Sequence, residues 1–232
     1  FPRPAMSSTR LNRSQFKTPL LASAKTRVKL SAKLSAQALC VAALTTLLVG
    51  CGVSNVVIEG NYPTPNVASL PINVAVVYDE ALRDFHYIEY SETGSEEYNI
   101  ASGDSHIALF SAILPAMFNS VVRVNSLEEA QQLGLDAIFY PVIDEFQLAL
   151  PQKTKLEVYE VWIRYNMRFL TGSGEPIADW VQTSYGKTPT ETMRSVDSAI
   201  NDAAVVALRD LASSFSLSFA QVPEIKDWIA AR

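Results

Sequence analysis

From Tyr159 to Phe169 the chain alternates without a break. Tyr159, Val161, Ile163, Tyr165, Met167 and Phe169 are apolar, and Glu160, Trp162, Arg164, Asn166 and Arg168 stand between them. Two residues is the side-chain period of a strand, so one face is set for a core and the other for water. A helix cannot use this pattern, because at 3.6 residues per turn alternate positions scatter around the axis. Thr171-Gly172-Ser173-Gly174-Glu175-Pro176 supplies turn chemistry, and Ile177 to Tyr185 is expected to return as the antiparallel partner. Trp162 and Trp180 stand out on the polar face of this hairpin. They are expected as cross-strand neighbours, either exposed for a partner or, as is commoner for such residues, packed beneath a helix.

A long hairpin with one apolar face needs helices to cover it, and the rest of the chain supplies them. Ile72-Asn73-Val74-Ala75-Val76-Val77-Tyr78 reads as a buried first strand. Asp104 or Ser105 can cap a helix whose apolar positions are Ile107, Phe110, Leu114, Met117, Phe118 and Val121, with Pro115 expected to bend or break it. Val121 to Val124 suits a strand, Ser126 to Glu129 opens a short helix closed by Gly134, and Asp136 to Leu150 is a long strand. Pro141 inside that strand implies an edge, a bulge or a break. Ser195 or Asp197 starts the last main helix, with Ile200, Ala203, Ala204, Ala207, Leu208, Leu211 and Phe215 on one face. After Pro223, Trp228 and Ile229 can dock back. The order predicts a single α+β domain over residues 72–232, a mainly antiparallel sheet with two main helices packed on one face.

Residues 79–104 interrupt this plan. Eight carboxylates and one arginine, Arg83, surround Phe85, Tyr87, Tyr90 and Tyr98, and a hairpin around Glu92-Thr93-Gly94-Ser95 is expected. These aromatics are candidate partner contacts, with Trp162 and Trp180. The competing reading packs them on the body of the domain.

The first 50 residues follow other rules. Seven cations and no acid fall between Arg10 and Lys33, and Leu34 to Val49 is uncharged and mostly apolar. Such a run fits a signal sequence and is shorter than the ~20 residues a permanent spanning helix needs. Met6 is the first methionine, which leaves Met6 or an upstream codon as the start. The run ends on Leu48-Val49-Gly50-Cys51, which resembles the lipobox of bacterial lipoproteins. The resemblance implies cleavage between Gly50 and Cys51, a diacylglyceryl group on the Cys51 sulfur, and usually acylation of the new amino terminus. It makes residues 1–50 a removed signal peptide and 51–71 a lipidated cysteine with a flexible tether, although Val53 to Ile58 can equally form an edge strand. In order of elements, residues 72–215 resemble periplasmic modules of the curli-secretion lipoprotein and the amino-terminal domain of the translocation protein TolB.

Cleavage at that point separates the charges. Eight of the 19 Lys and Arg precede Cys51 and all 24 acids follow it, which leaves −13 on the mature chain. That surface repels phosphate backbones, so nucleic acid is not an expected partner. Catalytic chemistry is sparse. Only His86 and His106 could serve as imidazoles, His106 reads as a surface residue, and neither sits in a cluster of metal ligands. Gly186-Lys187-Thr188 mimics the end of a phosphate-binding loop, but Val181 stands where its first glycine belongs and Pro189 blocks the helix. No cofactor, metal or catalytic residue is expected. The expected function is a non-enzymatic adaptor or accessory subunit, anchored to a membrane by lipid and contacting an envelope protein. A lipid or small-ligand binder and a glycan hydrolase with paired carboxylates are the alternatives. Gly52 after the cysteine, by resemblance to enteric lipoproteins, implies the periplasmic side of the outer membrane, with the inner membrane as the other destination.

Overall fold

The computed structural model describes residues 52–190 and 195–232. The leader, the lipobox with Gly50 and Cys51, and residues 191–194 lie outside the described residues. The elements run β1 (Gly52–Val57), β2 (Leu70–Val77), α1 (Glu80–Arg83), β3 (His86–Tyr90), β4 (Glu96–Ala101), α2 (Gly103–Met117), β5 (Phe118–Val124) and α3 (Leu127–Gln132). They continue with β6 (Ala137–Ala149), α4 (Pro151–Thr154), β7 (Val158–Thr171), β8 (Pro176–Pro189), α5 (Val196–Ser218), a 3₁₀ turn (Phe219–Gln221) and α6 (Pro223–Ala230).

The fold is α+β, as the pattern predicts. Five strands form a main sheet in the order β5-β2-β6-β7-β8, and three form a small sheet in the order β1-β4-β3. The main sheet is mixed, mainly but not purely antiparallel. β6, β7 and β8 are antiparallel neighbours, whereas β2 runs parallel to both β5 and β6. The cause is connectivity, since α2 precedes β5 and α3 precedes β6, and a helical crossover returns the chain in its original direction.

The central strand β2 is covered on both sides. Val74 and Val76 face the large core, while Ala75 and Val77 join Val124, Ala130, Ile138 and Leu170 in a smaller cluster with α3 residue Leu127. α2 and α5 cover the large-core face, where Phe110 meets Phe139 at 5.5 Å and Phe215 at 6.1 Å. The alanines of α5 bring it onto β8 so closely that a Cβ on Gly186 would lie 2.1 Å from the Ala203 carbonyl oxygen. Gly186 is therefore a packing residue inside a strand.

Local signals resolve in instructive ways. Pro141 lies two residues beyond the last β2 pairing partner, Phe139, where that side of β6 is free of the ladder, and a register shift follows between Ile143 and Glu145. α2 passes through Pro115 and ends two residues later. Its N-cap position is Ser102, earlier than Asp104 or Ser105. Ser195 caps α5, its hydroxyl accepting from the Ser198 N–H at 3.1 Å.

The stretch read as a tether takes the strand option instead. β1 pairs in parallel with β4 over six residues, Val56, Ile58 and Tyr62 are buried, and the Glu59 N–H donates to Asn201 on α5 at 2.8 Å. Val56 and Ile58 supply the burial that overrides the tether reading.

Candidate functional site

α3 covers the outer face of the main sheet around β5, β2 and the start of β6. Farther along, on β6, β7 and β8, the outward side chains meet no helix among the described residues. Register sets them in rows: Gln147 beside Trp162 beside Tyr185, then Glu145, Arg164 and Thr183, then Val142, Asn166 and Val181. The Trp162 and Tyr185 rings lie 4.4 Å apart at 43°. Trp162 is still 49% exposed and, two rows away, Val181 is 60% exposed, so solvent-facing apolar side chains lie on either side of the Arg164 row.

Charge lies between and beside these side chains. The Arg164 guanidinium donates to Asp144 at 2.8 Å and reaches Glu145 at 2.9 Å, and these carboxylates raise its pKa. Tyr185 donates its hydroxyl to Glu160 at 2.5 Å. Desolvation, then the hydrogen bond and charge of Glu160, push that phenol up to about 12, so it remains a neutral donor. A depression of about 200 Å³ lies beside Trp162 and is lined by Glu145, Gln147, Ile163, Arg164 and Thr183. An aromatic centre with a paired polar rim is the chemistry of a protein-docking surface.

The two tryptophans do not share a face. Trp162 pairs with Tyr185, but Trp180 pairs with Met167 and points to the helices, stacking on Phe215 at 6.3 Å and meeting Phe219 at 6.0 Å. A bulge sets this register: beside the turn Leu170 pairs with Pro176, and the shift between Phe169 and Leu170 then joins even positions of β7 to odd positions of β8. Tyr185 and Val181 were therefore not visible as site residues, because face assignment on β8 depends on one residue of register.

The aromatics of the acidic hairpin are also divided. Phe85 packs on His106 and Phe146 at 5.8 and 5.9 Å, and Tyr87 packs on Phe146 at 5.1 Å. Tyr98 is buried and donates to Glu96 at 3.1 Å, which leaves Tyr90, 49% exposed, as the outward one of the four. The hairpin is tied down by Lys153 to Glu89 at 2.5 Å and Lys155 to Glu92 at 2.6 Å. Burial pulls the Glu89 carboxyl up, but bonds from Lys153, Tyr87 and the Tyr90 N–H outweigh it and lower its pKa.

His106 corrects the surface reading. It is fully buried, 3.0 Å from the Ser102 hydroxyl through Nε2 and 2.5 Å from the Tyr165 hydroxyl through Nδ1. Desolvation drops its pKa to about 3, so it is a neutral core imidazole. Among the described residues, no group of three His, Cys, Asp or Glu side chains is placed to hold a metal ion.

No family model matches the chain. No curated protein matches it either. Among solved structures, a protein from Xanthomonas campestris described as DUF330 is similar, with a TM-score of 0.50 at 11% identity over 78% of this chain and 99% of that one. That likeness establishes the fold alone. A hypothetical protein from Chlamydia trachomatis has a TM-score of 0.44 at 10% identity, covering 70% of this chain and 100% of that one. A minor lipoprotein from Acinetobacter baumannii has a TM-score of 0.36 at 12% identity, covering 64% and 92%.

Proposed function

We propose that this chain is a non-enzymatic, lipid-anchored adaptor of the cell envelope, held at the membrane through Cys51 and docking an envelope protein on the outer face of β6, β7 and β8. The carrying observation is the Trp162–Tyr185 pair, its tryptophan 49% exposed, on a sheet face that no helix covers among the described residues and that also exposes Val181 two rows away. Aromatic residues at the centre of a patch dominate binding energy, and charged rims set orientation. The lipobox Leu48-Val49-Gly50-Cys51 supports the anchor, and Gly52 supports the outer membrane as the destination. Anchoring works by local concentration, since buried acyl chains confine the domain to a surface where its partner also resides.

A photo-crosslinking residue at position 183, exposed on the same face beside Trp162, tests the docking face in the lipidated protein when activated in intact envelopes. The expected result is one discrete heteromeric product. Trp162→Ala with Val181→Asp should reduce recovery of that partner by about tenfold or more, while the thermal midpoint changes little. Recovery of monomer alone would defeat the adaptor reading. Cys51→Ala should leave an unlipidated precursor, and unchanged lipid labelling would defeat the anchor assignment.

A further inference from the structure

The small sheet has a second exposed face. Its inner face buries Val56, Tyr98 and Ile100. Its outer face is set by register: Val53, Glu97 and Tyr90 form one row, Asn55, Asn99 and Ile88 the next, and Val57, Ala101 and His86 the last. Val53, Val57, Ile88 and Tyr90 are 56%, 58%, 48% and 49% exposed. The asparagines at its centre pair with each other, Asn99 donating to Asn55 at 3.2 Å. One carboxylate, Glu97, lies in these rows, although the mature chain carries all 24 acids. This is a low-charge apolar patch on an otherwise anionic domain.

Its position in the chain names its occupant. β1 begins at Gly52, the residue after the lipobox cysteine. One residue spans at most ~3.6 Å, so an acylated Cys51 would hold the first residue of β1 at head-group level. We infer that the outer face of the β1-β4-β3 sheet rests on the leaflet that receives the acyl chains, with Val53, Val57, Ile88 and Tyr90 entering the interface. This rests on the lipid-anchor reading and deepens it, because the anchor fixes an orientation as well as a location. Tyr90 suits that depth, since an aromatic ring with a hydroxyl favours the boundary between acyl chains and water. The near absence of carboxylates from the face removes the charge penalty that the rest of the domain would meet at an anionic surface.

The test uses full-length lipidated protein in vesicles of phosphatidylethanolamine and phosphatidylglycerol. Single cysteines are introduced as Val57→Cys, Ile88→Cys and, on the main-sheet face, Val181→Cys. Acylation consumes the native Cys51 thiol, so each added cysteine carries a single environment-sensitive fluorophore. All three sites are half exposed or nearly so, and the thermal midpoint of each labelled protein checks its fold. If the face meets the leaflet, spin-labelled lipid lowers emission by about half or more at positions 57 and 88 and leaves 181 unchanged, as fits insertion of ~5–10 Å. Protein that floats with the vesicles while positions 57 and 88 stay unquenched overturns the inference and leaves the anchor standing. A disulfide-linked dimer of the unlabelled 57 or 88 variant, with no lipid quenching of its labelled form, also overturns it, in favour of a second copy on this face. Protein that fails to float removes the anchor reading and this inference together.

Discussion

His106 is the residue whose environment departs furthest from what its type suggests. Position 106 lies four residues before Phe110 and seven before Ile113, both fully buried, so it falls on the core stripe of α2. That spacing was in the sequence, but a polar residue in a first turn reads as surface unless partners for both ring nitrogens are known. Ser102 and Tyr165 are those partners, and Tyr165 comes from a strand 59 residues away. Burial lowers the folded pKa to about 3, whereas an unfolded histidine titrates near 6.5. The unfolded state therefore binds a proton that the folded state refuses, and stability falls as pH drops below about 6.5 and is insensitive to this group above it. Between pH 7.5 and pH 5 the loss is about 2 kcal/mol from this residue. Urea midpoints at the two values should show that loss, and His106→Gln should flatten the dependence while lowering stability at both. An unchanged slope in the variant would show that His106 is solvated and titrates normally.

At the scale of elements, alternation was enough to define β7, because six apolar residues at period two leave one solution. Which face of β8 meets the helices was not legible, since the same sequence slipped by one residue would present Trp180 outward with Trp162. The parallel pairing of β2 was hidden for a similar reason: a short buried apolar run has no direction, and α2 and α3 had to be recognised as crossovers. Gly186 shows what the pattern does carry. Alanines at 203, 204 and 207 announce a close helix, and the structure delivers Ala203 and Ala207 onto the glycine. Gly186→Val would drive two methyls into the α5 backbone, and neither backbone can yield cheaply. It should cost about 3 kcal/mol or more by overpacking, read as a lower urea midpoint. A neutral result would mean that α5 is free to ride away from β8.

At the scale of the whole molecule, the first described strand is part of the core. Residues 52–62 would be expendable if they were a tether, yet Val56, Ile58 and Tyr62 are 3%, 1% and 6% exposed. The Ile58 N–H donates to the Ala101 carbonyl at 2.9 Å, and the Ile58 carbonyl accepts from the buried Ser105 hydroxyl at 2.5 Å. The Arg209 guanidinium reaches the Asn61 carbonyl at 3.0 Å, which ties the far end of the segment to α5. Removing the segment would expose the apolar surface of three large side chains' neighbours, at about 1.5–3 kcal/mol each, and strand a hydroxyl. That sum approaches the ~5–15 kcal/mol that holds a whole domain together. A soluble form beginning at Gly52 should therefore melt cooperatively, and one beginning at Pro63 should be largely unfolded at the same temperature or lose β3 and β4 to protease first. Equal melting temperatures would make residues 52–62 a tether after all, with β1 contributing nothing to the stability of the domain.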